Sequence, residues 1–416
     1  MLNDLRRAPV ALAYAAFVLV GISAGVSGVL LPAQIDDYHV TMTTIGLTFF
    51  VFSAGFFLAG SFTGALVQRF GTRISLAIGG GAYVLSGLYM GLRPPFIGLV
   101  AIQILAGFGT GTLESVLNAY LAGLPSATTL LNRLHAFFGV GALLGPLLAA
   151  WMLGFLSWPA VWLVLAAVCL SLTAAFLAAY PRHAPAPAPD AVTPDAPDTP
   201  VEPTANGGLL AAALRSPAIV LASIFLSVYV GLEISVGNWG FTLMVDQHSA
   251  SRIVAGYLVS GYWLGLTLGR FLISPFAARI GMSAARMSLA CLVGVVAASV
   301  LVWLAPFAVV AGVGLVLLGF FLGPLFPTAM AVVPDLASPR LVPTAIGLMN
   351  GVSVIGGSAL PWLAGALGEG IGIWTLMPYA AILGVIQVVI WRSLMSYMGR
   401  TPTGRPSDAV GPAAGA

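Results

Sequence analysis

The sequence predicts an all-α membrane protein whose twelve transmembrane helices form two pseudo-symmetric six-helix bundles. Three observations predict it. The chain is 59% hydrophobic and only 7% charged, whereas a soluble domain is roughly a quarter charged because its surface must stay in water. Apolar runs of about 20 residues, the length that crosses a bilayer as a helix, recur twelve times in 416 residues. The first six runs and the last six repeat one another.

The runs lie at 8–32, 43–67, 74–92, 95–124, 134–155, 158–180, 217–245, 252–277, 284–305, 307–333, 342–367 and 372–396. Only helices keep the backbone hydrogen bonds of such runs internal, since closed barrels need short alternating strands. The first run follows Arg6 and Arg7 as a signal peptide would, but it is too long for one and eleven runs follow; a retained helix is expected.

Charge sets the expected orientation. All 16 basic residues are arginine, and placing both termini in the cytoplasm puts thirteen on that side and only Arg93 and Arg252 on the other, with Arg270 inside a run. Short loops keep positive charge inside, so a multi-pass protein of the plasma or inner membrane with cytoplasmic termini is expected. The net charge of +3 reflects this bias, and no nucleic-acid partner is implied. Cys169 and Cys291 fall in separate apolar runs and read as small buried hydrophobes.

HAPAPAPDAVTPDAPDTPVEPTANGG, residues 183–208, is dominated by proline, alanine and acidic residues and reads as a solvated linker. The expected organisation is an N-terminal bundle (1–182), a cytoplasmic linker (183–215), a C-terminal bundle (216–398) and a cytoplasmic tail (399–416). At an offset of 210, Gly46, Gly55, Arg69 and Gly71 fall on Gly256, Gly265, Arg279 and Gly281. At an offset of 212, GFGTG (107–111) falls on GFFLG (319–323) and FGVGALLG (138–145) on NGVSVIGG (350–357). Parallel repeats of this kind are a secondary-transporter architecture with the substrate near mid-membrane.

GALVQRFGTR, Gly64 to Arg73, resembles the G-x-x-x-D-R-x-G-x-R loop of the major facilitator superfamily. Gly64, Arg69, Gly71 and Arg73 match, and Gln68 stands in place of the aspartate. The resemblance implies a gating loop that latches the cytoplasmic side, here without the acid at position 68.

Glu114, His135, Glu233 and Arg270 fall inside or near the ends of runs. A charge at membrane depth costs about 2.5 kcal/mol or more, so such groups face a cavity or each other. Gly107, Gly111, Glu114 and Asn118 share one helix face. That face reads either as a glycine packing stripe with a paired acid or as a cavity wall with a carboxylate for hydroxyls or a proton. Removal from water disfavours the ionised form of a carboxyl group, which suits proton loading. His135 reads as a helix cap beside Arg133 or as a titrating group. SVYVGLEISVGNWGF (227–241) gathers Tyr229, Glu233, Asn238 and Trp239, and its Gly237–Gly240 flank suggests a break in the seventh helix that frees backbone groups for a ligand. Arg270 shares a face with Tyr262 and Thr267 and reads as the ion-pair partner of Glu233, with or without a place in the cavity.

Five further segments carry a narrower resemblance, to the fucose–proton symporter family of monosaccharide permeases. LESVLNAYL (113–121) resembles its L-E-T-x-x-N-P-Y, and LNRLHAFFGVGALLGP (131–146) its L-N-x-x-x-x-F-x-x-x-G-x-x-x-G-P. VYVGLEISVGNW, GRF (269–271) and GPLFPTAMA (323–331) are similar to its seventh-, eighth- and tenth-span motifs. The resemblance implies that Glu114 takes part in proton and sugar binding beside Asn118. The fucose symporter's first-span aspartate is matched by Gly28, and the proline of N-P-Y by Ala119. Ser23 and Ser27 offer hydroxyls there but no charge.

The expected function is transport of a monosaccharide or similar polyol by alternating access, coupled to a proton or another cation. Proton coupling falls to Glu114 and His135. Substrate binding falls to Ser23, Ser27, Glu114, Asn118, Glu233, Asn238, Trp239, Tyr262, Trp263, Arg270 and Asn350, which offer paired donors and acceptors with aromatic faces. Efflux of amphipathic drugs or metabolites by the same fold is the alternative, and Phe49, Phe50, Phe52, Phe56, Phe57, Phe320 and Phe321 fit its apolar pocket or a lipid face. The absence of a nucleophile–base set, a metal-ligand cluster and a phosphate loop argues against an enzyme; no cofactor or metal is expected, the partners are the solute, the cation and the lipid bilayer, and a monomer is expected.

Overall fold

The computed structural model describes residues 2–180 and 206–398; most of the expected linker and the whole tail lie outside the described residues. Ten helical stretches in it are long and apolar enough to cross a membrane. One of these, Met42–Gly91, contains two passes, because Gly71 within Leu47–Gly91 takes φ 75° and ψ 167° and turns the chain back. The helix Arg252–Arg279, 28 residues long, is not among the ten; Ser260, Tyr262, Thr267 and Arg270 dilute its apolar character. It packs among the others as a further pass, so the passes among the described residues number twelve.

In order, the spans are Leu2–Tyr38, the two arms of Leu47–Gly91, Phe96–Ala122, Ala127–Met152 and Trp158–Ala179, then Pro217–Thr242, Arg252–Arg279, Ala284–Trp303, Ala308–Leu322, Val342–Gly370 and Leu376–Met398. A ten-residue helix, Asn206–Arg215, precedes the seventh span and packs on it and on the eleventh, so the C-terminal part of the expected linker is helical. The tenth span stops at Leu322 and resumes as Leu325–Ala331, where Pro324 withholds a backbone donor. It does not run unbroken from 307 to 333.

Glycines set the packing, and they set it twice. Bare backbone at Gly55 lets the second span press against the carbonyl of Ile104 and the amide of Phe108, and Gly265 meets Val316 and Phe320 in the same way. Gly107 meets Phe52 and Phe56; its counterpart Gly319 meets Tyr262 and Leu266. Gly71 and Gly281, also counterparts, both take positive φ, 75° and 69°. The two halves therefore fold alike, each as a six-helix bundle.

The seventh span is one continuous α-helix to Thr242, closed by a π-turn at Leu243–Gln247. The break expected at Gly237–Gly240 is absent: no backbone group is released there. Gly237 and Asn238 instead receive the first span at Gly28, where an added Cβ would lie 2.6 Å from the carbonyl oxygen of Gly237.

Candidate functional site

A cavity of about 790 Å³ lies between the halves. At the terminal face, where the described helices begin at Leu2 and end at Met398, its wall includes Gly60, Ser61, Gly347 and Gly351; Ser61 and Gly347 are exposed, and a Cβ on any of these glycines would meet nothing within 4 Å. At the opposite face the halves touch. Gly28 lies on Gly237, Gly46 on Trp362, Gly365 on the Met42 carbonyl, and Gly256 on Pro146 and Ala150. The cavity thus opens to the terminal face and is shut at the far face.

Of the residues expected to bind substrate, Ser23, Ser27, Glu114, Asn238, Trp263 and Asn350 line this cavity. The Ser23 hydroxyl donates to the Leu19 carbonyl at 3.0 Å and also contacts the Tyr83 hydroxyl. Ser27 donates to the Ser23 carbonyl at 2.9 Å. With their protons given to backbone, both serines offer the cavity acceptor lone pairs. The Glu114 carboxylate is the one acidic group in the wall, and among the described residues no hydrogen bond or ion pair engages it.

The other expected residues lie elsewhere. Asn118 turns its amide back onto the Glu114 carbonyl, 2.9 Å away. Trp239 is fully buried, donates to the Pro361 carbonyl at 2.8 Å and meets the Phe49 ring edge-on. Glu233 and Arg270 form an ion pair at 3.5 Å outside the cavity wall. Tyr262 closes that cluster by donating to the Glu233 carbonyl at 3.1 Å. His135 packs edge-on against Phe17, with ring centroids 5.7 Å apart, and does not line the cavity.

In the expected gating loop, Gly64, Gln68 and Arg69 are exposed and Arg73 is half-buried. Arg69 lies over the Phe70 ring, 5.3 Å from its centroid, and Gly71 supplies the turn.

The wall also holds polar groups that sequence reasoning missed: Gln34, Tyr83, Ser86, Gln103, Thr110 and Ser353. The two glutamines sit in or beside apolar runs and carry the same signal that singled out Asn118. Tyr83 carries none, because a tyrosine in a transmembrane helix is ordinary. Aromatic rings complete the wall: Phe49, Phe52, Phe56, Phe57, Phe138, Trp162 and Phe326. A chamber of this size, ringed by amides, hydroxyls and one carboxylate between aromatic faces, can enclose a small polar solute and move it from one face to the other if the gates alternate.

The profile of the Major Facilitator Superfamily matches residues 13–245 and again 234–413. The chain belongs to this superfamily. As a major facilitator it is a multi-pass transporter and not an enzyme. It is 26% identical over 402 residues to "Bypass of stop codon protein 6" of Saccharomyces cerevisiae, covering 90% of this chain and 79% of that one. It is 23% identical over 400 residues to the glucose/mannose transporter GlcP of Bacillus subtilis, covering 91% of this chain and 94% of the other. Among solved structures, a bacterial homolog of the human lysosomal transporter Spinster, inward-facing and unoccupied, superposes with a TM-score of 0.78 at 15% identity, covering 96% of this chain and 99% of that one. At that identity the likeness is one of fold. For this facilitator it is the fold already described: two bundles, one open face and one closed.

Proposed function

We propose that the chain carries a monosaccharide or a similar polyhydroxylated solute across the plasma or inner membrane, with a proton on Glu114 coupled to the passage. The observation that carries this reading is the unpaired Glu114 carboxylate in the wall of a chamber otherwise built from neutral donors, acceptors and rings. A sugar presents hydroxyls around its rim and C–H groups on its faces; amides and hydroxyls match the first and aromatic rings the second. Glu114 can hold a proton or accept from a sugar hydroxyl, and competition between the two couples one to the other. Similarity to a glucose/mannose transporter over nearly the whole chain supports the solute class.

Arginine placement supports cytoplasmic termini, and the chamber then opens inward. His135 lies off the chamber, so the proton is assigned to Glu114 alone. The transporter works as a monomer, because each chain holds a complete chamber. Efflux of an amphipathic compound is the second reading, favoured by the eight aromatic residues of the wall beyond Trp263.

The test is uptake of labelled monosaccharides into proteoliposomes, with and without an inward proton gradient. Gradient-driven accumulation is expected in the wild type. Glu114→Gln is expected to abolish it while keeping counterflow exchange. Failure of a broad sugar panel to accumulate or exchange overturns the solute class, and intact active uptake in Glu114→Gln overturns the proton role.

A further inference from the structure

The closed far face is held mostly by bare backbone and rings, but a charged hydrogen bond also crosses it. Oε2 of Glu369, in the last turn of the eleventh span, accepts the backbone N–H of Thr43 at 2.8 Å. Thr43 belongs to the short turn Met42–Ile45 that leads into the second span. The N–H groups of such a first turn have no partner within their own helix. Thr41 satisfies Thr44 with its side chain; the Thr43 N–H is left to the other half of the molecule, 326 residues away in sequence.

We propose that Glu369 is a positioning residue of the transport cycle: its bond to Thr43 holds the far gate shut and must break each time that gate opens. The neighbouring contacts make the two ends move together. Met42 presents its carbonyl oxygen to Gly365, and Gly46 packs against the Trp362 ring, so the turn seats on the eleventh span across two helical turns. Opening the far face separates the second span from the eleventh. The apolar contacts then exchange ring for lipid or water, whereas the Thr43 N–H and the Glu369 carboxylate both return to water. Glu369 is exposed, so water competes for both groups and the bond shifts the gate equilibrium by only about fivefold. That suits a contact remade on every cycle. A deeply buried pair would lock the gate.

The experiment needs no transported solute, so its result is independent of the sugar reading. Ile45 is fully buried beneath the gate and does not line the cavity; a cysteine there reacts with a maleimide only when the gate opens. The native Cys169 and Cys291, buried within the two bundles, report unfolding in the same sample. In Ile45→Cys protein, Glu369→Ala is expected to speed labelling at position 45 about fivefold with both native cysteines unchanged. Glu369→Gln, which keeps an acceptor, is expected to give a smaller increase, and Glu369→Arg, which sets a cation against the N–H, a larger one. The assignment is overturned by wild-type labelling in Glu369→Ala, by loss of the order Gln, Ala, Arg, or by parallel acceleration of Cys169 and Cys291.

Discussion

Gly28 should be unable to bear a side chain while the far face is closed. In the closed arrangement a Cβ at this position would lie 2.6 Å from the Gly237 carbonyl oxygen and 2.7 Å from both Cα and the carbonyl oxygen of Asn238. All three are backbone atoms of a continuous helix, so none can rotate away. Ordinary contact begins near 3.4 Å, so the first and seventh spans must part by about 0.8 Å to admit one methyl group. Overpacking of this kind costs about 1–3 kcal/mol. The cost falls on the far-closed state alone, because the two spans separate when the far gate opens. Gly28→Ala is therefore expected to move the gate equilibrium about 5- to 150-fold toward the far-open state, with proportionate loss of transport. Gly28→Asp is expected to be more severe, since it adds volume and a charge at the same contact. Maleimide labelling of Ile45→Cys protein measures the shift, and uptake measures the loss. Wild-type labelling and uptake in Gly28→Ala would show that this contact does not limit closure. The same geometry explains why the fucose-symporter resemblance lapses here: an acid at position 28 is incompatible with this close approach.

Two more expectations follow from the polar groups. Tyr83→Phe deletes one hydroxyl that faces the cavity and contacts Ser23; a lost hydrogen bond of about 0.5–1.5 kcal/mol predicts a two- to tenfold rise in KM with little change in kcat, and an unchanged KM in initial-rate uptake would remove Tyr83 from the binding site. Arg270→Leu leaves Glu233 partly buried and unpaired, which costs about 3–5 kcal/mol, whereas Glu233→Leu combined with Arg270→Leu should recover most of the lost thermal stability; equal losses in the single and double variants would mean that the pair is not a structural strut.

What was legible in the sequence was the architecture and the presence of polarity, and both have a physical source. The repeat could be read because the glycines that allow helices to touch are placed by backbone sterics, so Gly55 and Gly107 make the same kind of backbone contact as Gly265 and Gly319. Polar residues could be read because apolar runs exclude them, which brought out Ser23, Ser27, Glu114, Asn238, Trp263 and Asn350. The direction of each side chain was not legible. Trp239 follows Asn238 by 100° of helical rotation, enough to bury one in the bundle and leave the other on the cavity. Asn118 and Glu114 share a face, yet a backbone carbonyl one turn back takes the amide. The Gly237–Gly240 break was expected from composition, but in lipid a helix keeps its hydrogen bonds unless a cavity repays their loss, and here the glycines serve close approach instead.

The two halves share a fold but not a chemistry, and the repeat shows where they diverged. Ser23 corresponds to Glu233, Gly60 to Arg270, and Glu114 to Phe326. In the C-terminal half the acid has acquired an arginine and lies outside the cavity wall, while the position equivalent to Glu114 holds a ring. In the N-terminal half the equivalents of that ion pair are a hydroxyl and bare backbone, and the lone carboxylate faces the cavity. With an unpaired acid on the cavity in both halves, two like charges would face each other across one chamber, and their repulsion would oppose closure. On the proton role proposed for Glu114, confining the titratable group to one half lets a single protonation neutralise the whole chamber.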